Sequence, residues 1–258
     1  MTHEFDGKKY AKASAHQKEW GASIIADLSL KGTERVLDLG CGDGVLTSHF
    51  ADLLPNGEVV GIDASHGMIA VALEKGRRNL RFILHDIDNL DFTDEFDIVF
   101  SNAALHWVKD HHKLLQNVRR ALRAGGTIRF NFAADGNCSN FFKVVREAMA
   151  LDRYRFYFLD FEWPWYMPSI NEYETAVKRS GLRNIRVWDE NADRFFPDAQ
   201  TMVNWIDQPS LVPFLSFVAE SDKEAFRNFV VERMIHETQQ DDGRCFETFR
   251  RINVSAAG

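Results

Sequence analysis

Residues 36–44 read Val-Leu-Asp-Leu-Gly-Cys-Gly-Asp-Gly, an apolar strand running into a turn with three glycines. Gly40, Gly42 and Gly44 carry no Cβ, so the turn can take positive φ and a ligand can reach bare backbone. A helix predicted to start near Val45 would aim its free N–H groups and positive dipole end at that ligand. Strand, turn and helix together make a ligand-binding corner of an open parallel sheet. A dinucleotide site asks for G-x-G-x-x-G, or alanine at the last place, so that helix and strand pack closely. Counted from Gly40, that place is Val45, bulky and β-branched, and the third glycine comes one residue early at Gly44.

Outward from the turn, Val59-Val60-Gly61-Ile62-Asp63 reads as the next strand, and Asp63 lies 23 residues after Gly40. A carboxylate there can accept hydrogen bonds from both hydroxyls of a ribose. Further strands are predicted at 80–84, 96–100, 127–132 and 183–189, with a last one over 246–255, and helices at 15–28, 45–54, 65–76, 111–123 and 170–180. Trp20, Ile24 and Leu28 share one face of the first helix. This alternation predicts an α/β fold: a Rossmann-like, seven-stranded, mostly parallel sheet with helices on both faces. Residues 139–168 are unusually aromatic and 198–240 read as two or three helices, so a helical cap is expected above the carboxyl ends of the strands. The whole of 1–258 is read as one domain, with cap elements from about 1–20, 137–168 and 198–240, and 1–14 as a mobile lead-in.

Bulk properties exclude several classes. With 258 residues, 45% apolar and 27% charged, the chain has the make-up of a soluble globular protein. A net charge of −7 argues against a nucleic-acid binder. No apolar run is long enough for a bilayer, and the first 15 residues carry no secretory pattern. Cys41, Cys138 and Cys245 are scattered and odd in number, which suits free thiols in a reducing cytoplasm and lacks metal-site spacing.

The G-x-G-x-G turn behind Asp38, Gly61-Ile62-Asp63-Ala64-Ser65 with Met68-Ile69, and Ser101-Asn102-Ala103-Ala104-Leu105-His106-Trp107 together resemble the class I S-adenosylmethionine-dependent methyltransferases. Within them the chain looks like the trans-aconitate 2-methyltransferase group, and more distantly like the juvenile hormone acid methyltransferases. The resemblance covers about 10–132, and more loosely Phe196-Pro197, Val203-Asn204-Trp205 and Phe249-Arg250-Arg251-Ile252. It implies S-adenosyl-L-methionine as cofactor and S-adenosyl-L-homocysteine as product. Asp38 and the backbone of Gly40, Cys41 and Gly42 would hold the methionine portion, and Asp63 the ribose. Ala64 and Met68 would flank the adenine, with Asp86 and Ile87 near its amino group. Asn102 would support the methionine portion near the sulfonium, and Tyr10 would close over the cofactor. Met68 fits the core equally well, Asp86 a turn, and Tyr10 a packing role.

For the acceptor, the resemblance gives Gln17 and Trp107 the orientation of a substrate carboxylate, with His106 beside them. The trans-aconitate enzymes carry arginine in place of Gln17. A carboxylate is ionised at neutral pH and needs no general base, so His106 is expected to pack or orient. The aromatics of 154–166 suit either cap core or a long apolar acceptor, whereas Arg153, Arg155, Arg194 and Arg244 offer forks for a small polyacid. The reading is therefore O-methylation of a carboxylate on a small or medium acid, by a cytoplasmic monomer or weak dimer without nucleic-acid or membrane partners. A small-molecule C- or N-methyltransferase competes with it. So, more weakly, do a nicotinamide-dependent oxidoreductase and a non-enzymatic nucleotide-binding module.

Overall fold

The computed structural model describes residues 15–258; Tyr10 and the segment 1–14 lie outside the described residues. The described chain runs α1 (Ala15–Ala26), β1 (Arg35–Leu39), α2 (Val45–Leu53), β2 (Glu58–Asp63), α3 (His66–Leu73), β3 (Leu80–Leu84), β4 (Phe96–Asn102), α4 (His111–Ala121) and β5 (Leu122–Ala133). It continues through α5 (Ser139–Ala150), α6 (Ile170–Arg179), β6 (Arg183–Asn191), β7 (Arg194–Phe196), α7 (Ala199–Trp205), α8 (Val212–Leu215), α9 (Glu220–Thr238), β8 (Cys245–Glu247) and β9 (Arg250–Ala257).

Seven strands form one sheet in the order β3-β2-β1-β4-β5-β9-β6. Pairs β1–β2, β2–β3, β1–β4 and β4–β5 are parallel, and β9 lies antiparallel to β5. The chain builds outward from β1 in one direction and then returns to start β4 on its other side, so the ends of β1 and β4 flank the switch point where ligands bind in open sheets. The central strands are near-continuous apolar runs because both faces are covered. Alternation still sorts their side chains. Val36, Val59, Ile98 and Phe100 pack with Ile24 and Ile25 of α1 and Phe50 of α2. Leu37, Leu39, Val60, Ile62 and Val99 pack with α4 and α6 on the opposite face.

The caps are written in the sequence. Ser65 accepts from the Met68 N–H to start α3, Asp110 accepts from Lys113 to start α4, and Ser169 with Glu172 makes a capping box on α6. One strand differs from expectation. Phe246 lies in the short strand β8, and the final sheet strand begins only at Arg250.

The chain divides into two compact units. The first holds residues up to Asp135 with Trp165–Glu190 and Arg251–Gly258, and so contains the sheet. The second holds Gly136–Pro164 and Asn191–Arg250. Its core is aromatic: Phe161 stacks on Phe214 at 5.1 Å, Phe158 and Tyr154 pack on Phe226, and Phe196 on Trp205. Within it Glu247, fully buried, accepts from the Asn140 and Phe141 N–H groups at the start of α5.

Candidate cofactor and acceptor site

The glycine turn has the backbone its sequence asks for, with φ of +72°, +55° and +77° at Gly40, Gly42 and Gly44. The three positions do different work. A Cβ at Gly40 would sit 2.2 Å from the Ala104 Cβ, and one at Gly44 would sit 2.6 Å from the Phe82 ring, so Gly40 lets the turn close on the segment after β4 and Gly44 lets the start of α2 close on β3. A Cβ at Gly42 would meet nothing within 4 Å; there the backbone faces open space. The Gly40 and Cys41 N–H groups bond back to the Ile62 carbonyl at 2.9 Å, tying the turn to β2.

Asp63, at the end of β2, accepts from the Gly42 N–H at 3.0 Å through one oxygen and from the Ser65 N–H at 2.9 Å through the other. A carboxylate has about four acceptor positions, and these two N–H groups fix how Asp63 is turned. Asp38 is buried and accepts from the Thr47 hydroxyl at 2.7 Å. Burial, with the Asp63 charge nearby, pushes its carboxyl up to about 7 against the Thr47 hydrogen bond. Burial likewise raises the Cys41 thiol.

A pocket at the switch point is lined by Gln17, Asp38, Gly40, Cys41, Gly42 and Asn102, six of the residues singled out in the sequence. It is also lined by Lys18, Asp43, Leu46 and Ala103, which sequence reasoning passed over. Lys18 and Asp43 form an ion pair at 2.8 Å, a complementary pair legible only once α1 is known to return to the turn. Asp63, Ala64, Met68, Asp86 and Ile87 are not among the described residues lining it. Ile87 reaches within 3.8 Å of the Gly40 Cβ position. Asp86 caps the short turn Ile87–Asn89 by accepting from Asp88. Met68 is buried on α3, and Ala64 is half-buried beside Asp63.

The residues fit a cofactor with a zwitterionic amino-acid tail. Buried oxygens Oε1 of Gln17 and Oδ1 of Asn102 have no hydrogen-bond partner, and both residues line the pocket beside the Asp38 carboxylate. Open backbone at Gly42 completes the cradle.

His106 and Trp107 follow β4 in a short helical turn and are not among the described residues lining that pocket. Their rings pack together, and Trp107 packs on Trp165 at 5.3 Å. The His106 Nδ1 is fully buried without a partner, although the residue as a whole keeps some exposure. Burial, the Arg251 guanidinium and His111 bring this imidazole down to about 3. His111 is structural: its ring nitrogens meet the Tyr173 hydroxyl at 2.9 Å and the Leu105 carbonyl at 3.0 Å.

Arg251 belongs to a polar network that the sequence analysis missed. Asn102, Asn131 and Asn253 stand in register across β4, β5 and β9 and are all buried. Arg251 donates through Nε to the Asn131 Oδ1 at 2.8 Å and lies 4.7 Å from the Trp20 ring. Asn131 and Asn253 donate to Glu190, and Arg129 donates to the Asn253 Oδ1. The signal was present as period-2 polarity: Arg129 and Asn131, like Arg251 and Asn253, alternate with buried apolar residues. The arginines proposed as forks belong to the second unit. Arg153 pairs with Asp222, Arg155 with Asp152 and Arg244 with Asp242, all inside the second unit, and Arg194 is on β7 of that unit.

Comparison with known proteins agrees with this geometry. A family described as a methyltransferase domain matches residues 37–130. A trans-aconitate 2-methyltransferase of Deinococcus radiodurans is 30% identical over 197 residues, covering 74% of this chain and 75% of the relative. An uncharacterized methyltransferase of Schizosaccharomyces pombe is 28% identical over 260 residues, covering 98% of this chain and 97% of the relative. Among solved structures, phosphoethanolamine N-methyltransferase 2 of Haemonchus contortus in complex with S-adenosyl-L-methionine superposes with a TM-score of 0.62 at 20% identity. That match covers 97% of this chain, which spans 56% of the longer protein.

Proposed function

The chain belongs to the class I S-adenosylmethionine-dependent methyltransferases and within them resembles the trans-aconitate 2-methyltransferases, and from that premise we propose that it methylates a carboxylate oxygen of a small or medium organic acid. Bound S-adenosylmethionine supplies a methyl group on a sulfonium, open to in-line displacement. In this reading the chain's own contribution is to hold two partners in line and to exclude water. Asp63, held by the Gly42 and Ser65 N–H groups, takes the ribose hydroxyls, with Ala64 and Met68 at the adenine and Asp86 and Ile87 beside it. Asp38 and the Gly40–Gly42 backbone hold the methionine portion.

The observation that carries the acceptor proposal is the burial of the His106 Nδ1, which has no hydrogen-bond partner to support a proton on the ring. With its pKa near 3, this imidazole is a poor proton acceptor for a phenol or an ammonium. A carboxylate arrives already ionised, so no proton has to move. The buried Arg251 guanidinium, whose charge reaches His106, favours an anionic acceptor on that side. We place this activity in the cytoplasm on a small-molecule acid, by a monomer or weak dimer; among the described residues no helix is long and apolar enough to cross a membrane.

The test is transfer of labelled methyl to a panel of polyacids, fatty acids, phenols and amines. Base-labile methyl esters from the acids are the expected product. Products stable to base, formed only from amines or activated carbons, would replace this reading by N- or C-methylation. On an acid substrate, the natural chain and His106→Ala should share a flat kcat profile above about pH 5.5; an acid limb present in the natural chain and lost in the variant would make His106 a base.

A further inference from the structure

We propose that Gln17 is a cofactor ligand: its side-chain carbonyl joins the Asn102 side-chain carbonyl and the Asp38 carboxylate as the acceptor set for the ammonium of the cofactor's methionine portion. The inference rests on the cofactor alone and is independent of which acceptor is methylated.

Three observations lead to it. The first is placement. Gln17 lines the same pocket as Asp38, Gly40, Gly42 and Asn102, whereas neither His106 nor Trp107 is among the described residues lining it. The second is an unmet demand. The Oδ1 of Asn102 and the Oε1 of Gln17 are buried without a partner, and Asn102 is only 8% exposed. Buried acceptors are almost always satisfied, so two orphans in one pocket call for a donor that enters it. An ammonium brings three N–H donors and no acceptor, which matches two carbonyl oxygens and a carboxylate.

The third observation is how the set is held. The Asn102 Nδ2 donates to the main-chain carbonyl of Gln17 at 2.8 Å. That bond fixes which end of the Asn102 amide is nitrogen and leaves its oxygen for the pocket. The same bond latches α1 to the end of β4. One turn along the helix, a Cβ at Gly21 would lie 2.1 Å from a Leu46 methyl and 3.0 Å from the Asn102 Nδ2. Only the smallest residue lets α1 approach so closely, and that approach sets Gln17 over the turn after β1.

The test is calorimetric titration of the full chain with three probes: S-adenosylhomocysteine, its desamino analogue and 5′-methylthioadenosine. In Gln17→Met the side chain keeps its length and loses the carbonyl. We expect about tenfold weaker binding of S-adenosylhomocysteine, the size of one hydrogen bond to a charged group, with the other two probes within twofold of the unsubstituted chain. Unchanged 5′-methylthioadenosine binding also shows that the variant is folded. Gln17→Glu keeps the acceptor oxygens and should preserve the preference for the amine-bearing probe over the desamino one, a second measurement should Gln17→Met not fold. Equal losses on all three probes, or an unchanged Kd for S-adenosylhomocysteine with a raised KM for the acceptor, would overturn the assignment. Failure of the carboxylate reading would instead appear only in the methyl-transfer panel, with these titrations unaffected.

Discussion

At the scale of single residues, His106 shows how burial decides chemistry. Its imidazole has the ordinary value of 6.5 in an unfolded chain and about 3 in the fold. Below pH 6.5 the unfolded state therefore takes up a proton first. The stability tied to the neutral ring is fully present above that pH and drains away as pH falls toward 3. Compared with His106→Gln, the natural chain should lose up to about 1.4 kcal/mol per pH unit over that window, as denaturant titrations at several pH values would measure. A constant difference between the two proteins would mean that the ring is solvated. Asp38 runs the other way: its carboxyl is raised to about 7, so the charged form is the costly one. Neither shift was legible from residue type. Asp38 and His106 were legible as candidates because they stand next to sheet-end motifs, while their environments depend on Thr47, Asp63 and Arg251, which come from three different elements.

At the scale of elements, α1 carries more of the site than its sequence suggests. Its apolar spacing foretold a helix, and Ile24 packs as expected in the core against β1 and β2. The polar residues at its start gave no sign that they face the glycine turn, because that depends on the packing of Gly21 against Leu46. Gly21→Ala should raise helix propensity by up to about 1 kcal/mol. Overpacking against Leu46 and Asn102 costs about 1–3 kcal/mol, so the net expectation is a loss near 1 kcal/mol in chemical denaturation. A gain would show that Leu46 simply turns aside. Strand positions were more readable than this helix. β1 to β4 fall where apolar runs and glycine or proline punctuation place them; the runs of β1, β2 and β4 are buried on both faces, and β3 is a half-exposed edge. The polar row of Asn102, Asn131 and Asn253 showed in the sequence only as period-2 polarity within single strands; register is what sets the three distant asparagines side by side.

For the whole molecule, the ligand is a source of stability. A compound that binds only the folded chain contributes about 2.7 kcal/mol at a hundred times its Kd. For a chain of this size that corresponds to a rise in Tm of roughly 5–10 °C. S-adenosylhomocysteine should produce this shift in calorimetric melts and NAD should not; a shift with NAD alone would reverse the reading of the turn at Gly44 and Val45. The order of the strands also bears on how the protein is made. Thr127 pairs with Ala257 and Ala133 with Arg251, so β5 waits for a neighbour synthesised more than a hundred residues later. Until the ribosome has delivered that neighbour, the nascent sheet carries a bare flank, and bare flanks invite wrong pairings. The buried guanidinium of Arg251 thus reaches the molecule with its last stretch of sheet, long after the glycine turn has been made.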